Sequence, residues 1–215
     1  ISPDLTRDEE LKQGPGGGPF TNEGAGGEVY NTISYLVCSQ EKEGEIWVGT
    51  DDGRVHFTPN DGAQWKEITP ENLGEAQINS IELSAIPGRA YIVATRHKFN
   101  NIRPIILKTE NYGKSWELIT QGIPSNTFAR VLREDPKMDN ILYAGTETGL
   151  YISFDQGQQW HPFQLNLPIC PITDLIIQDN DLIAATAGRS IWILDDLSPI
   201  QQYLSKIQGD EISII

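Results

Sequence analysis

Apolar residues along this chain come in short alternating runs, each broken by Gly, Asp, Asn or Pro. Thr32 to Ser39, Glu45 to Thr50, Arg54 to Thr58 and Trp65 to Thr69 form the first set of four. The same order returns in Ile78 to Leu83, Ala90 to Thr95, Ile105 to Thr109 and Trp116 to Thr120, and again in Ala129 to Glu134, Ile141 to Thr146, Leu150 to Ser153 and Trp160 to Phe163. A fourth set begins with Ile172 to Gln178, Leu182 to Thr186 and Ser190 to Leu194 and then stops, after which Gln201 to Ile207 reads as the start of a short helix. Side chains of a strand point alternately to opposite faces, so runs of this length and period predict half-buried strands. The expected fold is all-β, in four repeats of about four strands.

Between the third and fourth strands, three repeats carry one pattern. It reads Thr58-x-Asn60-x-Gly62-x-x-Trp65, Thr109-x-Asn111-x-Gly113-x-x-Trp116 and Ser153-x-Asp155-x-Gly157-x-x-Trp160. The residue types suit a hairpin turn. The Asn or Asp side chain accepts hydrogen bonds from nearby backbone N–H groups, Gly permits a positive φ, and Trp packs into the sheet. The copies start about 50 and then about 45 residues apart, the spacing of a four-stranded repeating unit. Each second strand also ends alike, with a small residue and a threonine: Gly49-Thr50, Ala94-Thr95, Gly145-Thr146 and Ala185-Thr186. Small residues there suit sheets that crowd together. Trp47 and Trp192, outside the motifs, are expected in the core.

Composition excludes several functions. The net charge of −14 repels phosphate backbones, and no basic stripe interleaves with aromatics, so no nucleic-acid partner is expected. No apolar stretch approaches the ~20 residues of a membrane span. Cys38 and Cys170 fall in different repeats and lack metal-ligand spacing, so neither a disulfide nor a metal site is expected, and no cofactor is implied. The Gly-rich stretch within residues 7 to 29 has no Lys-Ser/Thr after it and reads as a long connection rather than a phosphate loop.

The three motifs resemble the Asp-box, the turn of the BNR-repeat β-propellers. The chain as a whole resembles the bacterial sortilin-like or glycosyl-hydrolase-like members of that family. The resemblance rests on Ile1-Ser2-Pro3-Asp4-Leu5-Thr6, on Trp47-Val48-Gly49-Thr50-Asp51-Asp52-Gly53, on Tyr143 to Tyr151 and on Ala187 to Pro199. It implies a β-propeller segment of about four four-stranded blades, part of a larger propeller whose remaining blades would be its partners. Residues 1–31 would be the tail of a preceding blade and a connection. Blades would follow at 32–70, 71–121 and 122–165, with a partial blade at 166–200 and a following segment at 201–215. Periplasmic or extracellular location is implied in the same way.

Asp-box propellers include sialidases, xyloglucanase-type hydrolases, sortilin-type receptors and a photosystem assembly factor, so the fold leaves activity open. Sialidases resemble one another in an Arg-Ile-Pro segment. Here the nearest string is Ile102-Arg103-Pro104, with the order scrambled, which argues against sialidase activity. An inverting glycoside hydrolase needs two carboxylates roughly 6.5 to 9.5 Å apart across a cleft. Because consecutive strands reverse direction, the turns between second and third strands lie on the face opposite the Asp-boxes. The candidate ligand-binding residues are those of that face: Asp51, Asp52 and Arg54, then Arg96, His97, Lys98 and Arg103, then Glu147 and Arg189, with Glu28 before the first strand. This mixture of cations and carboxylates suits a glycan or a peptide. The expected function is a non-catalytic binding module, the alternative being part of a xyloglucanase-like hydrolase. No Ser-His-Asp arrangement can be inferred, and a lone His97 is more often structural than catalytic.

Overall fold

In the computed structural model, residues 2–8 and 30–208 are described, with side chains to residue 204. Four antiparallel meanders make up the fold. The first sheet is β1 (Ile33–Cys38), β2 (Ile46–Thr50), β3 (Val55–Thr58) and β4 (Lys66–Glu67), hydrogen-bonded in that order. The second is β5 (Gln77–Leu83), β6 (Ala90–Arg96), β7 (Asn101–Thr109) and β8 (Glu117–Leu118). The third is β9 (Ala129–Glu134), β10 (Leu142–Thr146), β11 (Gly149–Ser153) and β12 (Trp160–Pro162). Among the described residues the fourth has three strands, β13 (Ile172–Gln178), β14 (Asp181–Thr186) and β15 (Ile191–Leu194), and helix α1 (Ser198–Gln208) follows it.

The strands divide between two compact units. Ile1–Leu118 with Pro124–Ala129 form one, and Ile119–Ile123 with Arg130–Ile215 the other. In the first unit Trp47 on β2 faces Val37 and Phe57 across the ladder, and these side chains join Ile78, Ile81 and Ile92 of the second sheet in one core. In the second unit Tyr143, Leu150 and Ile152 of the third sheet pack with Ile172, Leu175 and Leu182 of the fourth. The small residues at the ends of second strands have a steric cause. A Cβ on Gly49 would lie 2.4 Å from Ile78 Cγ2, and one on Gly145 would lie 2.7 Å from Ile172 Cγ2. Within each unit the first strand of the second of its two sheets therefore occupies the space that a larger residue would need.

The three motif turns share one hydrogen-bond pattern. In the second sheet Asn111 Oδ1 accepts from Ser115 N at 2.9 Å and from Thr109 Oγ1 at 3.1 Å, while Thr109 Oγ1 accepts from Gly113 N at 2.9 Å. Thr58, Asn60 and Gly62 repeat this, as do Ser153, Asp155 and Gly157. All three glycines have positive φ, between 76° and 89°. The tryptophans reach further than their own turn. Trp116 Nε1 donates to the carbonyl of Ile68 at 2.8 Å, and Trp160 Nε1 to that of Ile119 at 2.7 Å. Trp65 Nε1 is buried without a hydrogen-bond partner among the described residues.

Two details depart from the sequence expectation. Strand β7 begins at Asn101, not Ile105, after a 3₁₀ turn at His97–Phe99. The ladder shifts register between Ala94 and Arg96, so Pro104 falls at an irregularity where no ladder N–H is needed. Trp192, expected in the core, is only partly buried against it. Among the described residues its strand β15 is the last of the sheet, which leaves one side of the indole unsheltered by them. No helix among the described residues is long and apolar enough to cross a membrane.

Candidate functional site

Within each of the first three sheets the motif turn and the second-to-third turn lie at opposite strand ends, because the strands alternate in direction. The sequence candidates sit at the latter end, and the structure assigns them unequal surroundings. Asp52 is fully buried. Its carboxylate accepts from Thr50 Oγ1 at 2.5 Å and from Arg7 N at 2.7 Å, and its carbonyl accepts from Arg7 Nε at 2.9 Å. These bonds hold the opening segment of the chain against the β2–β3 turn. Asp51 accepts from the backbone N–H groups of Thr32 at 2.8 Å and Asn31 at 3.1 Å. Burial pushes its carboxyl above the ordinary range, opposed by the Thr32 N–H and by the charge of Lys98.

Around this turn lie two residues that sequence reading missed. Tyr30 is buried, and its hydroxyl donates to Glu75 Oε2 at 3.0 Å. Its phenol is held well above its ordinary pKa, first by burial and then by Glu75, Asp52 and Asp51. Arg96 Nε donates to the backbone carbonyl of Glu75 at 3.0 Å, and its guanidinium lies over the Phe99 ring at 5.9 Å. The first unit thus gathers Asp51, Asp52, Arg96 and Lys98 around Tyr30 and Glu75. Tyr30 and Glu75 are 45 positions apart, and neither carries a local motif that would have marked it.

The remaining candidates do not join that group. Arg54 turns outward to Glu67 on β4, at 3.1 Å. His97 stacks on Phe128, with centroids 5.4 Å apart, and its Nδ1 is 3.3 Å from Thr95 Oγ1. Both contacts are those of a side chain that fixes the 3₁₀ turn. Arg103 is exposed on β7. In the second unit Glu147 forms an ion pair with Arg130 of β9, a partner that sequence reading did not single out. Arg189 is exposed in the β14–β15 turn, where its carbonyl accepts from Trp192 Nε1 at 2.7 Å. Glu28 lies outside the described residues.

The first unit also has a groove that Arg96 lines in part. The groove, of about 940 Å³, runs between β4 and the motif turn of the second sheet, lined by Phe57, Ile68 and Trp116 with Lys66 and Lys114 at its polar parts. It extends from the motif turn of the second sheet, at Tyr112 to Trp116, to Arg96 and the Pro70 to Leu73 segment after β4. Among the described residues no group of three or more His, Cys, Asp or Glu side chains is placed to hold a metal, and both cysteines are free.

No family model matches the chain, and no curated protein matches it. Solved structures do. YCF48 bound to a D1 peptide superposes with a TM-score of 0.57 at 18% identity, over 76% of this chain and 52% of that one. The GH74 enzyme of Niastella koreensis gives 0.61 at 12% identity, over 77% and 29%. The extracellular domain of the hybrid two-component system BT3049 of B. thetaiotaomicron gives 0.58 at 17%, over 79% and 21%. All three are β-propellers, so the four sheets are propeller blades and the chain is a propeller segment. It spans about half the length of the YCF48 chain and less of the other two. At these identities the likeness concerns the fold alone.

Proposed function

We propose that the chain is a non-catalytic binding module of an Asp-box propeller, sortilin-like in type, that takes a polypeptide ligand beside the β2–β3 turn. The observation that carries this reading is the engagement of the carboxylates. Asp52 and Asp51 each accept hydrogen bonds that shape the turn, and Glu147 is paired with Arg130. A hydrolase keeps one carboxyl free to protonate a leaving group and a second to activate water. Groups already committed to backbone N–H donors and a guanidinium are better suited to hold a surface still. Lys98, beside the polar cluster of Asp51, Tyr30 and Glu75, offers a cation to an acidic or C-terminal carboxylate of a peptide. YCF48, a propeller of similar fold, is seen with a bound peptide, which agrees with this reading at the level of fold. The extracellular domains among the similar structures agree with an extracellular or periplasmic setting.

One observation favours the hydrolase alternative. Asp51 has a carboxyl raised by burial, the property of a general acid. An assay separates the two readings. Peptide-array binding followed by calorimetry is expected to give a ligand whose affinity falls at least about fivefold in Lys98→Ala, about 1 kcal/mol. Incubation with xyloglucan is expected to release no reducing ends. Release that Asp51→Asn abolishes would establish the hydrolase reading instead.

A further inference from the structure

Each sheet of a repeat presents two faces, and the ladder registers identify the corresponding positions. In the first sheet Trp47, Val55 and Phe57 share one face, and they are 1%, 0% and 4% exposed beneath the second sheet. In the third sheet the same register positions are Tyr143, Leu150 and Ile152, buried with the fourth sheet. In the fourth sheet they are Ile183, Ile191 and Ile193, with Ile176 across the ladder from Ile183. Ile176, Ile191 and Ile193 are 51%, 67% and 58% exposed. Branched aliphatic residues thus occupy interface positions on a face that nothing covers among the described residues.

The complementary half of the same interface is exposed on the first sheet. The residues that enter a preceding sheet are Ile78 and Ile81 in the second and Ile172 and Leu175 in the fourth, all at most 1% exposed. On β1 the corresponding side chains are Ile33, 48% exposed, and Leu36, 56% exposed. The first sheet has two further signs of an unmade contact. His56 Nδ1, on the strand position across from Val48, is buried without a partner among the described residues. Trp65 Nε1 is also buried without one, although the equivalent Trp116 and Trp160 each donate to a carbonyl. Such orphaned polar atoms are costly in a packed interior.

We propose that the exposed face of the fourth sheet docks the Ile33–Leu36 face of a second copy of this chain, reproducing head to tail the interface that joins the two sheets of each unit. The contact is heterologous: one copy contributes its first sheet and its partner contributes the fourth. This is independent of any peptide site. A net charge of −14 opposes the approach of two copies, whereas the buried aliphatic area favours it. Salt screens the first and leaves the second, so association strengthens as ionic strength rises.

Sedimentation velocity on the 215-residue chain tests this, with circular dichroism and thermal melting to establish that each variant is folded. The chain is expected to associate with rising concentration, more in high salt than in low. Ile193→Glu and Leu36→Glu, both at exposed positions, are each expected to be folded and monomeric. An equimolar mixture of the two is expected to form a dimer and nothing larger, because one variant retains a sound first-sheet face and the other a sound fourth-sheet face. A chain that stays monomeric at high concentration in high salt overturns the proposal. So does association that survives either substitution, and so does a mixture that stays monomeric while the unaltered chain associates.

Discussion

At the scale of single residues, the fold depends on short polar side chains that satisfy backbone donors in tight turns. Asp155 Oδ1 accepts from Gln159 N at 2.9 Å and from Ser153 Oγ at 2.7 Å. Asp155→Ala is expected to lower stability by about 1 to 3 kcal/mol, because an N–H is left without its acceptor. The melting temperature should fall, while the affinity of the folded fraction for any ligand stays unchanged. These turns were legible in the sequence because every partner lies within four positions. Asp52 was not, since its role depends on Arg7, 45 positions away, and an aspartate in a turn otherwise reads as solvent-facing. His56 was likewise silent in the sequence. Burial holds its imidazole below the ordinary value, with Glu67 opposing and Arg54 adding to the effect. The fold therefore favours the neutral ring. Its stabilising contribution is present above the unfolded pKa, about 6.5, and is lost as pH falls from there through the folded value. Denaturant midpoints measured between pH 7.5 and 5 should drop more steeply for the unaltered chain than for His56→Gln. The slope attributable to this one group is bounded at about 1.4 kcal/mol per pH unit.

At the scale of elements, strand positions were readable because alternation is strict and each sheet is a meander of neighbours. Strands β9 and β13 start and end where the pattern places them. The Arg96–Arg103 segment was misjudged for a physical reason. A left-handed Asn100 closes the 3₁₀ turn after only three residues, so a strand resumes where composition suggested a loop. What joins one sheet to the next was only half legible. The recurrence of Gly or Ala before Thr was visible, but the facing Ile78 and Ile172 lie one sheet further on. Gly49→Ala forces a methyl into Ile78 and is expected to cost about 1 to 3 kcal/mol, with little change in far-UV dichroism. Trp116→Phe removes the N–H that reaches the Ile68 carbonyl at 2.8 Å. Its expected cost is about 1 to 3 kcal/mol, since the carbonyl is left without its donor. Chemical denaturation of both variants checks these values. The tryptophan that ties the motif to the preceding turn is thus a connector as well as a core residue.

At the scale of the whole molecule, stability is distributed over two cores. Trp47, Ile78, Ile81 and Ile92 belong to one cluster, and Tyr143, Ile172, Leu175 and Leu182 to another, with no residue in common. The second unit has an anchor of its own. Asp135 is buried, and it accepts from Gln201 of α1 at 3.0 and 3.1 Å and from the Tyr143 hydroxyl at 3.3 Å, so the helix is tied to the end of β9. Burial, together with the Asp135 charge, holds the Tyr143 phenol well above its ordinary pKa. A boundary near Ile119 was not legible in the sequence, where that residue simply ends a strand-like run. Residues Ile119–Ile123 belong to the second unit, where the Ile119 carbonyl accepts from Trp160 Nε1. In repeat folds, stability is approximately a sum of local and nearest-neighbour terms. A lesion in one core should therefore stay in that core. Leu175→Ala empties a fully enclosed site and is expected to cost about 2 to 5 kcal/mol. Amide hydrogen exchange should then show protection reduced at least about thirtyfold in β10, β11, β13 and β14. In the same variant the amides of β2 and β6 should keep their protection. An equal fall in both units would mean that the two clusters unfold as one, and the division into units would have no thermodynamic counterpart.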